Sequence, residues 1–209
     1  TPVTLILAPV EEIMRQKNIP EEIRDDLEVV KRNSERLLDL VNQILDFTKA
    51  EQEAFSSQNT WFDIDDLVEK TVQRFTPAAQ QKGIQLSHDT PQPIRICTDR
   101  EALTKVLSNL LTNAMKFTKD RILVSLTENP EAHTVTISVE DNGTGIKPTE
   151  KEKIFNLFYQ SANKPQLPNK GFGIGLAIVS LLVKRMMGKI EVESEENRFT
   201  RFRITLPQN

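Results

Sequence analysis

Five of the seven glycines in this 209-residue chain fall in two short groups, Asp141-Asn142-Gly143-Thr144-Gly145 and Gly171-Phe172-Gly173-Ile174-Gly175. Glycines two apart let a backbone take positive φ and pass close to a ligand. The second group runs directly into an apolar helical pattern, Leu176 to Met187. A glycine-rich turn that opens a helix offers its amides to phosphate. The first group follows a strand-like stretch and begins with a carboxylate, which can accept a hydrogen bond from the exocyclic amine of a base. An adenine nucleotide fits both groups, although each taken singly also fits an ordinary tight turn. The P-loop is disfavoured because no Gly-Lys-Ser or Gly-Lys-Thr occurs. The dinucleotide fingerprint is disfavoured because the second group is spaced differently from G-x-G-x-x-G.

A third group lies in Asn109-Leu110-Leu111-Thr112-Asn113-Ala114-Met115-Lys116-Phe117. Asn109, Asn113 and Lys116 stand at i, i+4 and i+7, which places them on one face of a helix whose other faces are leucine-rich. Buried amides cost free energy unless they are paired. Two amides and an ammonium on one face therefore suit a charged ligand, with a structural amide network as the alternative. An amide oxygen is also a hard ligand able to take Mg²⁺ together with substrate phosphates.

The elements that must position these groups differ between the two parts of the chain. From Ile23 the apolar positions Ile23, Leu27, Val30, Ser34, Leu37, Val41, Ile44 and Thr48 alternate steps of four and three, as a coiled-coil seam does. Leu38 and Leu45 widen that stripe to the face of a bundle helix. Val3, Ile6, Leu7, Val10, Ile13 and Met14 mark a shorter helix, closed by the breaker segment at 17–20. A helical hairpin over residues 1–55 is expected, with a core too small to stand alone and a second copy as the simplest cover for its stripes.

Residues 56–209 read instead as short strands alternating with two strong helical patterns, an α/β layered domain. Leu67, Val68, Val72 and Phe75 mark one helix, and Leu103, Val106, Leu107, Leu110 and Leu111 the next. Strands are predicted at 122–126 and 135–139, and the turn composition of Asn129-Pro130-Glu131 makes them an antiparallel hairpin. The fold class expected is thus α+β, a truncated antiparallel helical hairpin followed by a two-layer α/β sandwich.

Charged residues make up 27% and balance to a net charge of −3, which lacks the basic footprint of a nucleic-acid binder. The longest apolar runs fall short of the roughly 20 residues that span a bilayer, so no direct membrane contact is expected of this segment. The single cysteine, Cys97, sits in an alternating stretch with Ile94 and Ile96 and reads as a buried structural thiol in a strand. The chain opens on Thr1-Pro2 and enters a helix at once, which reads as a fragment.

The three groups together resemble the N box, G1 box and G2 box of sensor histidine kinases, whose ATP-binding domain has the Bergerat-type fold. Ile154-Phe155-Asn156-Leu157-Phe158 is similar to that family's F box, and the stretch Gln160 to Lys170 to its lid. Thr1-Pro2 looks like the end of the H box, so the resemblance places the acceptor histidine upstream of Thr1. It covers nearly the whole chain, and around Thr1 to Leu7 it extends to the hybrid sensors that carry their own receiver.

The resemblance implies a protein histidine kinase with ATP and Mg²⁺ as cofactors. Asn113 would hold the metal, Asn109 and Lys116 would meet the phosphates, Phe117 would lie near the adenine and Asp141 would bind its amino group. Gly143, Gly145, Gly171, Gly173 and Gly175 would shape the pocket, and Thr1 would fall where relatives assist phosphatase activity. It further implies a homodimer, a response-regulator receiver domain as partner and a cytoplasmic portion of a bacterial inner-membrane sensor. No catalytic acceptor is expected in the chain itself, since His88 and His133 lie outside the helical hairpin and read as surface residues. Gln160 departs from the basic residue usual after the F box, and the 198–203 stretch replaces a late glycine motif. Two other readings are a degenerate ATP-binding interaction module and an ATPase of the same fold with water as acceptor.

Overall fold

The structure is a computed structural model that describes residues 2–16, 18–52, 58–90, 93–161 and 171–208. Thr1, Lys17, Lys164 and Lys170 lie outside the described residues, as does most of the lid-like stretch. Two compact units form, residues 1–48 and 49–209.

The first unit consists of α1 (Pro2–Met14) and most of α2 (Glu21–Gln52). The break falls at the predicted breaker segment. The helices run antiparallel, with Lys31 Nζ 2.9 Å from Glu11 Oε1 and the Arg24 guanidinium 3.5 Å from the Met14 carbonyl. α1 buries Val3 and Val10, spaced as one helical face. Most of the predicted seam of α2 is left open: Ile23, Val30, Leu37, Val41 and Ile44 are each between 38 and 49% exposed. Seven residues separate several of these positions, so the exposed apolar area forms one continuous stripe.

The second unit is a two-layer sandwich. Its main sheet has the order β2-β4-β5-β7-β6, formed by β2 (Gln85–Asp89), β4 (Arg121–Asn129), β5 (Thr134–Asp141), β6 (Lys189–Glu195) and β7 (Phe199–Pro207). β2 pairs parallel with β4, and every other pair in this sheet is antiparallel. A separate two-stranded sheet pairs β1 (Asn59–Asp63) with β3 (Arg95–Asp99). The helices are α3 (Ile64–Gln81), α4 (Arg100–Phe117) and α5 (Gly175–Arg185).

Alternation fixes which side of the sheet meets them. In β5 the residues Val135, Ile137 and Val139 are buried, while Thr136, Ser138 and Glu140 are half-exposed. Ile122, Val124 and Leu126 continue the buried face in β4, as do Phe202, Ile204 and Leu206 in β7. Burying one such side chain contributes roughly 1.5–3 kcal/mol. α4 answers with Leu103, Val106, Leu107, Leu110 and Leu111, each at most 1% exposed. The opposite sheet face is polar and carries an ion-pair ladder in which Arg201 meets Glu140 and Glu193, and Arg203 meets Glu193.

The 122–126 and 135–139 strands do pair as an antiparallel hairpin, Asn129 facing Thr134. Asn129 Oδ1 accepts the Ala132 N–H at 3.1 Å, and His133 takes a positive φ of 49° to close the turn. Two expectations need correction. Cys97 is half-buried rather than buried, because it lies opposite Trp61 on the outward side of the small sheet. The helix after the second glycine group ends at Arg185, not Met187. Met187 turns left-handed at φ 56°, and the Gly188 N–H reaches back to the Val183 carbonyl at 2.9 Å. Gly188 cannot be exchanged freely here, since a Cβ would stand 2.6 Å from a Leu206 methyl.

Candidate nucleotide site

α4 begins where Asp99 accepts the Ala102 N–H at 2.9 Å, a carboxylate N-cap, and ends where Thr118 turns extended. Its leucines pin one side to the sheet, so the 109/113/116 face turns away from the core. All three side chains are half-buried. Asn109 Nδ2 donates to the Lys105 carbonyl at 2.9 Å. Its Oδ1 faces Gly175, where an added Cβ would lie only 2.8 Å away. Lys116 Nζ lies 5.2 Å from the Phe117 ring centre and 3.5 Å from where a Gly171 Cβ would stand. Among the described residues no hydrogen bond engages the side-chain amide of Asn113.

β5 delivers Asp141 at its C-terminal end, 5% exposed. The carboxylate Oδ1 accepts the Gly143 N–H at 2.9 Å, which fixes its orientation. Gly143 passes so close to the end of α4 that any Cβ would overlap the Phe117 carbonyl and stand 2.6 Å from Asp141 Oδ1. Thr144 N–H then donates to that same carbonyl at 3.3 Å. Gly145, at φ +67°, rests against the Glu195 backbone. The turn is braced from the β6–β7 hairpin by Asn197 N–H to the Thr144 carbonyl at 2.8 Å and by Ile146 N–H to Ser194 Oγ at 2.8 Å. Asn142 points elsewhere, its amide closing a local network with Thr118, Asp120 and Arg121.

The second glycine group is seated on the F-box-like segment. Phe158, at a positive φ of 63°, donates its N–H to the Gly173 carbonyl at 3.0 Å. Gly173, at φ +75°, would place a Cβ 2.5 Å from the Tyr159 carbonyl. Gln160 Nε2 donates to the Gly171 carbonyl at 2.9 Å. Tyr159 donates its hydroxyl to Glu150 at 3.0 Å, and desolvation, then that bond, push its phenol up from the ordinary value. α5 opens at Gly175, and its N-cap residue Ile174 makes no side-chain cap, so its first-turn amides can meet another acceptor.

The structure thus brings together groups between 24 and 66 residues apart in sequence: Phe117 with Gly143 and Asp141, Lys116 with Gly171, and Asn109 with Gly175. Gly145 lies one step away, under the β6–β7 hairpin. Arg198, Arg201 and Arg203 stand apart, in ion pairs with Glu195, Glu140 and Glu193. Among the described residues no group of three His, Cys, Asp or Glu side chains could hold a metal. An ion held at this site would depend on amide oxygen and on the oxygens of a bound phosphate. Sequence reading missed Ser194, Asn197, the Phe117 carbonyl and Tyr159. Only Tyr159 had a signal, its place beside the F-box-like segment.

Residues 98–209 match the family described as histidine kinase-, DNA gyrase B- and HSP90-like ATPase, and residues 1–53 match the His Kinase A (phospho-acceptor) domain. The sensor histidine kinase YcbM of Bacillus subtilis is 31% identical over 99% of this chain, which spans 67% of that protein. The autoinducer 2 sensor kinase/phosphatase LuxQ of Vibrio cholerae is 33% identical over 99% of this chain, which spans 25% of its length. Full-length ShkA, solved in complex with AMPPNP, superposes with a TM-score of 0.83 at 28% identity over 99% of this chain and 43% of that one. No described helix is long and apolar enough to cross a membrane.

Proposed function

This chain belongs to the sensor histidine kinases, and from that premise we propose that residues 56–209 bind Mg-ATP between α4 and the two glycine turns. The γ-phosphoryl then passes to a histidine and onward to an aspartate of a response-regulator receiver. The observation that carries the reading is the convergence on one region of a buried carboxylate, an amide that no hydrogen bond engages among the described residues, an ammonium and a helix N-terminus that its own N-cap residue does not cap.

Each group has a definite task. Asp141 accepts from the adenine amino group while Gly143 holds its other contact in place. Phe117 stands next to that position and offers a ring face. Lys116 and the first-turn amides of α5 balance negative charge on the phosphates. Asn113 fits a hard cation, with Asn109 beside it on the phosphate side. Bound Mg²⁺ would supply neutralisation of charge on the phosphate oxygens. The protein's contribution is placement, as in phosphoryl transfer generally.

The exposed stripe of α2 supports a homodimer through the hairpin of residues 1–55, in line with the match to the phospho-acceptor domain. Sedimentation should give twice the chain mass for the parent and the monomer mass for Leu37→Glu. A monomeric parent would refute the dimer. The resemblance of residues 1–7 to the hybrid sensors is what supports a receiver as partner and a bacterial inner-membrane sensor whose cytoplasmic portion holds this segment. Thr1 is assigned the phosphatase-assisting position by the same likeness.

The kinase reading is tested in the full-length protein with γ-labelled ATP. Acid-labile label should appear on the protein, and Asn113→Ala should lower its rate by about 10²–10³-fold. Release of free phosphate with no labelled protein would favour the water-using ATPase. ATP binding without either product would favour the degenerate module. The phospho-acceptor match at residues 1–53 weighs against both.

A further inference from the structure

Asp99 and Arg185 form a buried ion pair, with side chains 7% and 10% exposed. One carboxylate oxygen of Asp99 accepts the Ala102 N–H and so starts α4, while the other meets the Arg185 guanidinium in the last turn of α5. A single carboxylate therefore ties the start of one helix to the end of the other. At the far end of α5, Gly175 abuts Asn109 Oδ1 of α4. The two fixed points are about 15 Å apart along α5, given its 1.5 Å rise per residue.

A helix transmits displacement along its axis, so the position of Arg185 governs where the α5 N-terminus points. A buried ion pair is weak evidence for stability, because apolar residues of similar volume often serve as well. Its geometry is the feature that apolar packing cannot copy, since one carboxylate oxygen is directed at the Ala102 N–H and the other at a guanidinium nitrogen of Arg185, two directional, charge-assisted contacts from a single side chain.

We propose that the Asp99–Arg185 pair is a positioning device for the phosphate half of the nucleotide site. It sets α5 so that the Gly171–Gly175 turn and the first-turn amides face Asn109, Asn113 and Lys116, without touching the nucleotide. The adenine half does not depend on it, because Asp141 and Gly143 are built on β5 and on the Phe117 carbonyl. The proposal rests on the nucleotide reading given above.

The test compares ATP and adenosine affinities, by calorimetry and ligand-detected NMR, together with thermal midpoints for the whole chain. The informative variant is the double substitution Asp99→Asn with Arg185→Met. Asparagine keeps the N-cap acceptor, and removing both charges leaves neither buried alone. ATP should bind about tenfold more weakly, while adenosine changes by less than about twofold. Arg185→Lys should recover part of the ATP affinity. Leu206→Ala, a fully buried change on β7, should lower the midpoint without altering the ratio of the two affinities. If the double variant does not fold, Asp99→Asn alone is expected to shift the same ratio. A folded variant in which both affinities fall together, or neither moves, overturns the proposal. A parent that binds neither ligand removes the nucleotide reading and this proposal with it, whereas a parent that binds both with an unshifted variant ratio removes the proposal alone.

Discussion

Asp141→Asn is expected to weaken ATP binding by about 2–3 kcal/mol, roughly 30- to 150-fold. The carboxylate is 5% exposed and already accepts the Gly143 N–H. An acceptor-only group in that position matches two donors, the Gly143 amide and an adenine amine. Asparagine has one oxygen and one NH₂, so whichever way it turns, one of the two donors meets another donor. The same logic bears on the choice of base. Guanine presents a carbonyl where adenine has the amine, and it faces a buried carboxylate in the parent. GTP should therefore bind about 100-fold more weakly than ATP, and Asp141→Asn should narrow that gap. Competition against a fluorescent ATP analogue gives all four affinities. An unchanged preference in the variant would show that Asp141 does not read the base.

Gly143→Ala is the second large effect. No left-handed backbone is involved, only contact, for the new methyl would overlap the Phe117 carbonyl. Both obstacles are fixed, one being main chain and the other the oriented Asp141 carboxylate 2.6 Å from the methyl position. The expected loss of stability is about 2–3 kcal/mol, with ATP binding lost because Asp141 must move. Gly171→Ala is the control within the other glycine group. Its methyl would stand 3.5 Å from Lys116 Nζ, an ordinary contact with a movable side chain. Its stability should stay within about 0.5 kcal/mol of the parent. Urea unfolding of the two variants separates them, and equal losses would contradict the close approach at Gly143.

These two substitutions also mark how far the sequence could be read. The glycine groups, the α4 face and Asp141 were legible because each depends on local spacing: residues two apart in a turn, or four and seven apart on a helix. The β4–β5 hairpin was legible for the same reason. What escaped depends on partners distant in the chain. Nothing near Gly143 announces that the Phe117 carbonyl occupies the space of its missing side chain. The parallel pairing of β2 with β4 and the small β1–β3 sheet are likewise settled by long-range packing. Asp99 and its partner Arg185 lie 86 positions apart, so no local spacing announces the pair. Cys97 failed differently: alternation gave its strand correctly, yet the side it faces belongs to a two-stranded sheet with one open face.

Calorimetric titration of ATP into the folded chain, with Mg²⁺ and then with chelator, tests the nucleotide site most directly. The account predicts saturable binding of one ATP per chain, stronger with Mg²⁺ by about tenfold and dependent on the Asn113 amide. Absence of heat and of any thermal shift at millimolar ATP, in protein whose circular dichroism shows it folded, would contradict it.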